Sequence, residues 1–267
     1  MGYEFSLAHL TVLQCTPPEM VEIAAKTGYQ YVSLRMTAVT PNERTYPLMT
    51  DRKMMQETKA RMADTGVGVL DIELARLDPA TEPEAYLAFL EAGGELGARA
   101  VIGQIPDPNR ERATERFARL CDLAQPFGLT VDLEFPSWTE TPDLKSATTV
   151  IEAVNRPNAG LLVDTLHFDR SRSSLQDLKN IPRDWFHFVH LCDAPGEIPT
   201  TTAGLIHTAR ADRNFPGEGD LNLRAILACM PVVPYSLEIP NDSLMKKLGP
   251  EEFARRAIRA SEKYLAG

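Results

Sequence analysis

Short apolar runs rich in Val, Ile and Leu alternate along the chain with longer segments whose apolar residues recur every three or four positions. The first pattern fits strands buried on both faces, and the second fits amphipathic helices packed against them. Strands are expected at Ser6–Leu10, Gln30–Arg35, Val67–Glu73, Ala98–Gly103, Leu129–Glu134, Ala159–Asp164, Trp185–Leu191 and Pro234–Ile239. Helices are expected at Pro17–Thr27, Asp51–Thr65, Glu82–Leu96, Asn109–Phe127, Pro142–Val154, Ser174–Asn180 and Pro250–Leu265. Gly28, Gly66, Gly97 and Gly128 stand directly after the first three helices and the Asn109–Phe127 helix, where a left-handed residue commonly ends a helix.

Eight strands alternating with helices in 267 residues predict an α/β protein, a (β/α)8 TIM barrel forming a single domain over residues 1–267. An open doubly wound sheet is the alternative. Its first strand usually leads into a glycine-rich phosphate turn, and Leu10–Pro18 contains no glycine. Asp193–Gly219 is the one long stretch without periodicity. It follows the seventh strand, on the side where barrel active sites are built, and so reads as a functional loop.

The net charge of −9 and the scatter of basic residues argue against a nucleic-acid partner. Arg255, Arg256, Arg259 and Lys263 fall at helical spacing and read as a solvated helix face. No apolar run approaches a membrane span, and the first residues do not resemble a signal peptide, so no membrane partner and a cytoplasmic location are expected. Cys15, Cys121, Cys192 and Cys229 form no CxxC pair and are expected to be reduced.

The chemistry lies at the ends of the late strands. The fifth ends in Glu134, the sixth in Asp164, the seventh carries His190 and the eighth Glu238. Alternation turns Leu133, Val163, Val189 and Leu237 toward the helices and the four ionisable side chains inward, on neighbouring strands of one rim. Converging carboxylates repel, and a divalent cation relieves that cost. Three carboxylates and one imidazole suit Mn²⁺ first, with Mg²⁺, Co²⁺ or Zn²⁺ as alternatives. Asp164 taken alone is equally well explained as a helix N-cap. His9, Arg35, Glu73 and Gln104, at or after the ends of the first four strands, are each read as structural or peripheral to the pocket. Trp138 offers an apolar wall for a sugar ring. His187 is expected to pack toward a helix, and His207 is left open between surface and pocket.

The segments VDLEF, LLVDTLHF, FVHLCDA, ADRNFPGEGDLNL and YSLEIP together resemble the xylose isomerase-like barrel superfamily. The resemblance implies a metal-dependent isomerase or epimerase acting on a small sugar, sugar phosphate or cyclitol through proton transfer beside a carbonyl. It implies Glu134, Asp164, His190 and Glu238 as metal ligands, with Glu134 and Glu238 doubling as the catalytic acid/base pair. His167 and Arg213 are implied as substrate contacts, and Glu218 as structural or supporting. Homo-oligomers are common in the superfamily, which leaves self-association open here. A dehydratase of a keto-cyclitol or of 3-dehydroshikimate uses the same first step and is the alternative; Arg210 and Arg213 suit a carboxylated substrate. The superfamily's repair endonucleases assemble three zinc ions with many more histidines than the five here. A non-catalytic metal-holding barrel fits the complete ligand set less well.

Overall fold

The structure, a computed structural model, describes residues 2–40 and 43–267. Eight strands, β1 (Phe5–Ala8), β2 (Tyr31–Arg35), β3 (Gly68–Arg76), β4 (Ala100–Gln104), β5 (Thr130–Glu134), β6 (Ala159–Asp164), β7 (Val189–Leu191) and β8 (Tyr235–Leu237), pair in chain order. All are parallel, and β1 pairs with β8 to close the barrel. The helices are α1 (Pro17–Thr27), α2 (Arg52–Thr65), α3 (Leu87–Leu96), α4 (Arg110–Ala124), α5 (Leu144–Val154), α6 (Thr165–Arg170), α7 (Leu175–Asn180), α8 (Thr202–Ala211), α9 (Leu223–Ala228), α10 (Asp242–Leu248) and α11 (Pro250–Ala266). The closed TIM barrel expected from the sequence is thus present, and the open sheet is excluded.

Local chemistry sets the boundaries. Thr16 and Glu19 form a reciprocal capping box at α1, and Asp51, Asn109 and Asp143 cap α2, α4 and α5 through backbone N–H groups of the first turn. Gly28 and Gly66 end α1 and α2 at φ of 98° and 77°, which a side chain at Cβ would disfavour. Inside the barrel, Leu70, Leu74, Ala100, Ile102, Leu162 and Phe188 form an apolar plug. A larger apolar layer lies between strands and helices. Above the plug, the rim at the strand C-termini is where barrel active sites are built.

Several expectations shift. The first strand ends at Ala8 because His9–Val12 winds into a 3-10 turn. The seventh begins only at Val189, after a 3-10 turn at Arg183–Trp185. The third runs on to Arg76. Asp193–Gly219 is not wholly irregular, since α8 occupies Thr202–Ala211, started by Thr201 accepting from the Gly204 N–H at 3.1 Å. Its Gly and Thr residues weaken the helical pattern in the sequence.

His187 is corrected as well. It lies before β7 begins, so strand alternation does not orient it. Instead of packing toward a helix, its Nδ1 donates to the buried Asp132 carboxylate at 2.7 Å, at the end of the barrel away from the candidate site. Burial works against a charged imidazole here, but Asp132 outweighs it and raises the His187 pKa above its ordinary value. Gly160 makes this contact possible, because a Cβ there would strike the Asp132 carboxylate and lie 2.6 Å from His187 Nδ1. Gly160→Ala is therefore expected to destabilise the fold by about 1–3 kcal/mol, read as a lowered midpoint of thermal unfolding; an unchanged midpoint would contradict this packing.

Candidate metal and substrate site

The strand register brings the four predicted ligands to one rim. Asp164 pairs with His190 and His190 with Ser236, so Glu238 lies two residues beyond that pair, directly after β8. Glu134 pairs with Leu162, two residues before Asp164. Strand tilt absorbs these offsets. One donor atom each from Glu134, Asp164, His190 and Glu238 lie within 4.8 Å of one another, and all four residues are buried.

His190 Nδ1 faces the carboxylates, 3.4 Å from Glu238 Oε2, 3.7 Å from Asp164 Oδ2 and 3.8 Å from Glu134 Oε1. Tetrahedral ligands bonded at about 2.0–2.2 Å are separated by about 3.3–3.6 Å, so the spacing fits one small divalent ion with little adjustment. Neither ring nitrogen of His190 has a hydrogen-bond partner within the protein. Buried imidazoles are rarely left so, which is a second sign that the donor set fits a metal.

Asp164 serves two ends at once. Its Oδ1 caps α6 by accepting from the N–H groups of Leu166 at 2.7 Å and His167 at 3.2 Å. Its Oδ2 faces the ligand cluster. The capping role expected of this residue is therefore present through one oxygen, and the other remains directed at the cluster.

Arg213 is 1% exposed and lies beneath the cluster. Its Nη1 is 2.7 Å from Asp164 Oδ2, its Nη2 is 2.7 Å from Glu238 Oε2, and its Nε donates to the Ala209 carbonyl at 2.8 Å. The fork that the resemblance implied for a substrate pairs with these two carboxylates, and Arg213 also lines the cavity beside them. Gln104 Nε2 donates to Glu134 Oε2 at 2.5 Å. Three carboxylates against one guanidinium leave two net negative charges, matching a divalent cation beside a neutral His190.

The titration properties follow from this crowding. Burial, and then Glu238, raise Glu134 to about 7. Burial opposes the charge of Glu238 too, but His190 and Arg213 outweigh it and hold the group at about 2. Burial likewise opposes Asp164, yet Arg213, His167 and His190 keep it well below the usual carboxylate range. Burial disfavours charged His190, but Glu238 and Asp164 raise its pKa well above the ordinary imidazole value.

His167 lies over the cluster, Nε2 being 3.9 Å from Glu134 Oε1 and 4.0 Å from Asp164 Oδ2. Burial lowers its pKa to about 4, so it is neutral, and its Nδ1 has no partner. Trp138 meets it edge-on with centroids 5.1 Å apart. Both line a cavity of about 40 Å³ together with Glu134, Glu238, Arg35 and Gln104. An adjoining chamber of about 350 Å³ shares Val39, Gln104, Pro136, Trp138 and Arg210 with it.

His9 is structural. Its ring bridges the Cys15 carbonyl and the Arg35 N–H and stacks on Tyr46. Glu73 is bound to Arg35, His207 is exposed in α8, and Glu218 is exposed. The residue that organises the PGEG turn is Asp193, whose buried carboxylate accepts the N–H groups of Ala194, Gly217 and Leu221. An aspartate three residues after His190 was visible in the sequence, but nothing there showed that it would turn away from the four-residue cluster.

A closed barrel with this four-residue cluster at its C-terminal rim defines a class, and the comparisons agree with it. The chain belongs to the xylose isomerase-like TIM-barrel family, whose profile matches residues 21–264. The inosose isomerase of Bacillus licheniformis is 30% identical over 188 residues, a stretch spanning 65% of this chain and 65% of that protein. The 3-dehydroshikimate dehydratase of Pseudomonas aeruginosa is 28% identical over 157 residues, 57% of this chain and 22% of that protein. A solved structure of IolI protein with a zinc atom shares the fold with a TM-score of 0.81 at 20% identity, covering 98% of each chain.

Two outcomes follow. Glu134 and His190 must lose their protons before ligating, so divalent-metal affinity is expected to fall as pH is lowered from about 8 to about 6; calorimetric titration showing pH-independent affinity would contradict this. Arg213→Met leaves Asp164 and Glu238 uncompensated, and metal-free protein is expected to lose about 3–5 kcal/mol of stability, measured by denaturant unfolding.

Proposed function

We propose that the protein is a divalent-metal-dependent isomerase or epimerase that moves a proton on a carbon beside the carbonyl of a small sugar, sugar phosphate or cyclitol. The observation that carries this reading is the convergence of Glu134, Asp164, His190 and Glu238 within 4.8 Å at the barrel rim. These four side chains would hold the ion, and Mn²⁺ suits an oxygen-rich set that includes an imidazole. The ion would supply Lewis-acid polarisation of a carbonyl oxygen.

The remaining chemistry falls to the chain. Glu134 and Glu238 come from strands three apart around the barrel, so they reach the cavity from different sides. That placement suits one carboxylate to remove a proton and the other to return one. Gln104 anchors Glu134 and Arg213 anchors Glu238, each fixing one oxygen and leaving the carboxylate oriented. Neutral His167 presents ring nitrogens to a substrate oxygen. Trp138 excludes water from one side and offers an apolar face to a ring. The cavity of about 40 Å³ admits only the reacting end, and the rest of a substrate extends into the adjoining chamber.

Similarity to a 3-dehydroshikimate dehydratase favours a second reading, in which proton removal is followed by departure of a β-hydroxyl. Proton NMR in D₂O separates the two, with metal-loaded protein and a panel of ketoses, inososes and 3-dehydroshikimate. Deuterium at one carbon with the skeleton otherwise intact marks isomerisation; loss of water marks the lyase. Glu134→Gln and Glu238→Gln are each expected to lower turnover about 10²–10⁴-fold with the fold retained, metal content being measured alongside. Normal turnover in either variant would remove that residue from the acid/base pair.

A further inference from the structure

Two guanidinium groups line the outer chamber without an ion pair, although Asp78 lies near enough to Arg76 to feel its charge. Arg76 ends β3, and Arg210 lies in α8 one turn after Ile206; both line the chamber of about 350 Å³. Arg210 also lines the inner cavity beside Glu134 and Glu238. Among the described residues, neither arginine side chain makes an ion pair or a hydrogen bond; Arg76 bonds only through its backbone, to Tyr86. Arg35 nearby is different, because Glu73 at 2.8 Å and Glu43 at 3.0 Å neutralise it. Glu140 also borders the chamber, but it is exposed and pairs with neither arginine.

These positions carry a cost. Burial disfavours the charge on Arg210; Glu43 opposes this, Arg35 and Arg76 add to it, and Glu238 opposes it further. A neutral polyol in the chamber would leave the two cations repelling each other. An anion between them would remove the repulsion and accept planar, charge-assisted hydrogen bonds.

We propose that the substrate carries an anionic group, a carboxylate or a phosphate ester, held by Arg76 and Arg210 while its carbonyl end lies at Glu134 and Glu238. This rests on the reading of the four-residue cluster as a proton-transfer centre and narrows it to acidic sugars or cyclitols. The cavity and chamber share five lining residues, so one molecule spans both. Arg213 lies deeper and has its own carboxylates, so the anion falls to the outer pair.

The test is calorimetric binding to metal-loaded protein of two matched pairs, fructose against fructose 6-phosphate and inositol against quinate, with inorganic phosphate as a fifth probe. At least one anionic member is expected to bind about tenfold or more tighter than its neutral partner, and the preference is expected to weaken with added salt. Preference in the first pair identifies a phosphate ester, and in the second a carboxylate. Arg76→Gln and Arg210→Gln should each lose about tenfold in affinity for the anion, with metal content, melting temperature and binding of the neutral partner unchanged. Equal binding within both pairs, or a preference that survives in the double variant, overturns the proposal. The parent reading fails separately, if the chain takes up no metal and exchanges no substrate proton while the arginine-dependent preference persists.

Discussion

The repulsion among three buried carboxylates organises this molecule. Glu134, Asp164 and Glu238 are drawn onto one rim by strand geometry and are buried there, which raises the cost of holding their charges together. Arg213 offsets part of the charge and must be delivered from a loop. That loop is folded around Asp193, which gathers three backbone N–H groups and pairs with Asn214 across a short bridge. Asn241 Nδ2 donates to the Arg213 carbonyl and so ties β8's exit to the same structure. The charge that remains is what a divalent ion would neutralise.

The same constraint divides the substrate space into two parts. Next to the carboxylates the cavity is small, and its walls are held by hydrogen bonds that orient each acid. Beyond Trp138 and Gln104 it widens, and there Arg76 and Arg210 line it without ion-pair partners. Helix α8 contributes to both parts, because Arg210 lines cavity and chamber alike and Arg213, two residues past the helix, lines the cavity.

The strands that build the site were legible in the sequence because they are buried on both faces and read as apolar runs. The four cluster residues were legible for a related reason. Glu134 and Asp164 end strands, His190 lies within β7 and Glu238 directly follows β8, and alternation with an apolar neighbour such as Leu133 or Val163 fixes the face of each. What escaped depended on long-range contacts. Arg213 was expected only as a substrate contact, and the packed loop shows that it also pairs with Asp164 and Glu238. His187 was assigned to a strand that in fact starts four residues later than its apolar pattern suggested, at Val189. Arg76 lies three residues past the expected end of the third strand, and α8 is hidden by its glycine and threonines. Each case required knowing which neighbour wins a side chain, and that information lies in the fold.

The most direct test of the central claim is anomalous diffraction at the absorption edge of Mn²⁺ or Zn²⁺ from metal-loaded crystals. The account predicts one strong peak at the C-terminal rim, about 2.0–2.3 Å from oxygens of Glu134, Asp164 and Glu238 and from a ring nitrogen of His190. No peak there, with the three carboxylates bonded only to Arg213, His190 and Gln104, would contradict it.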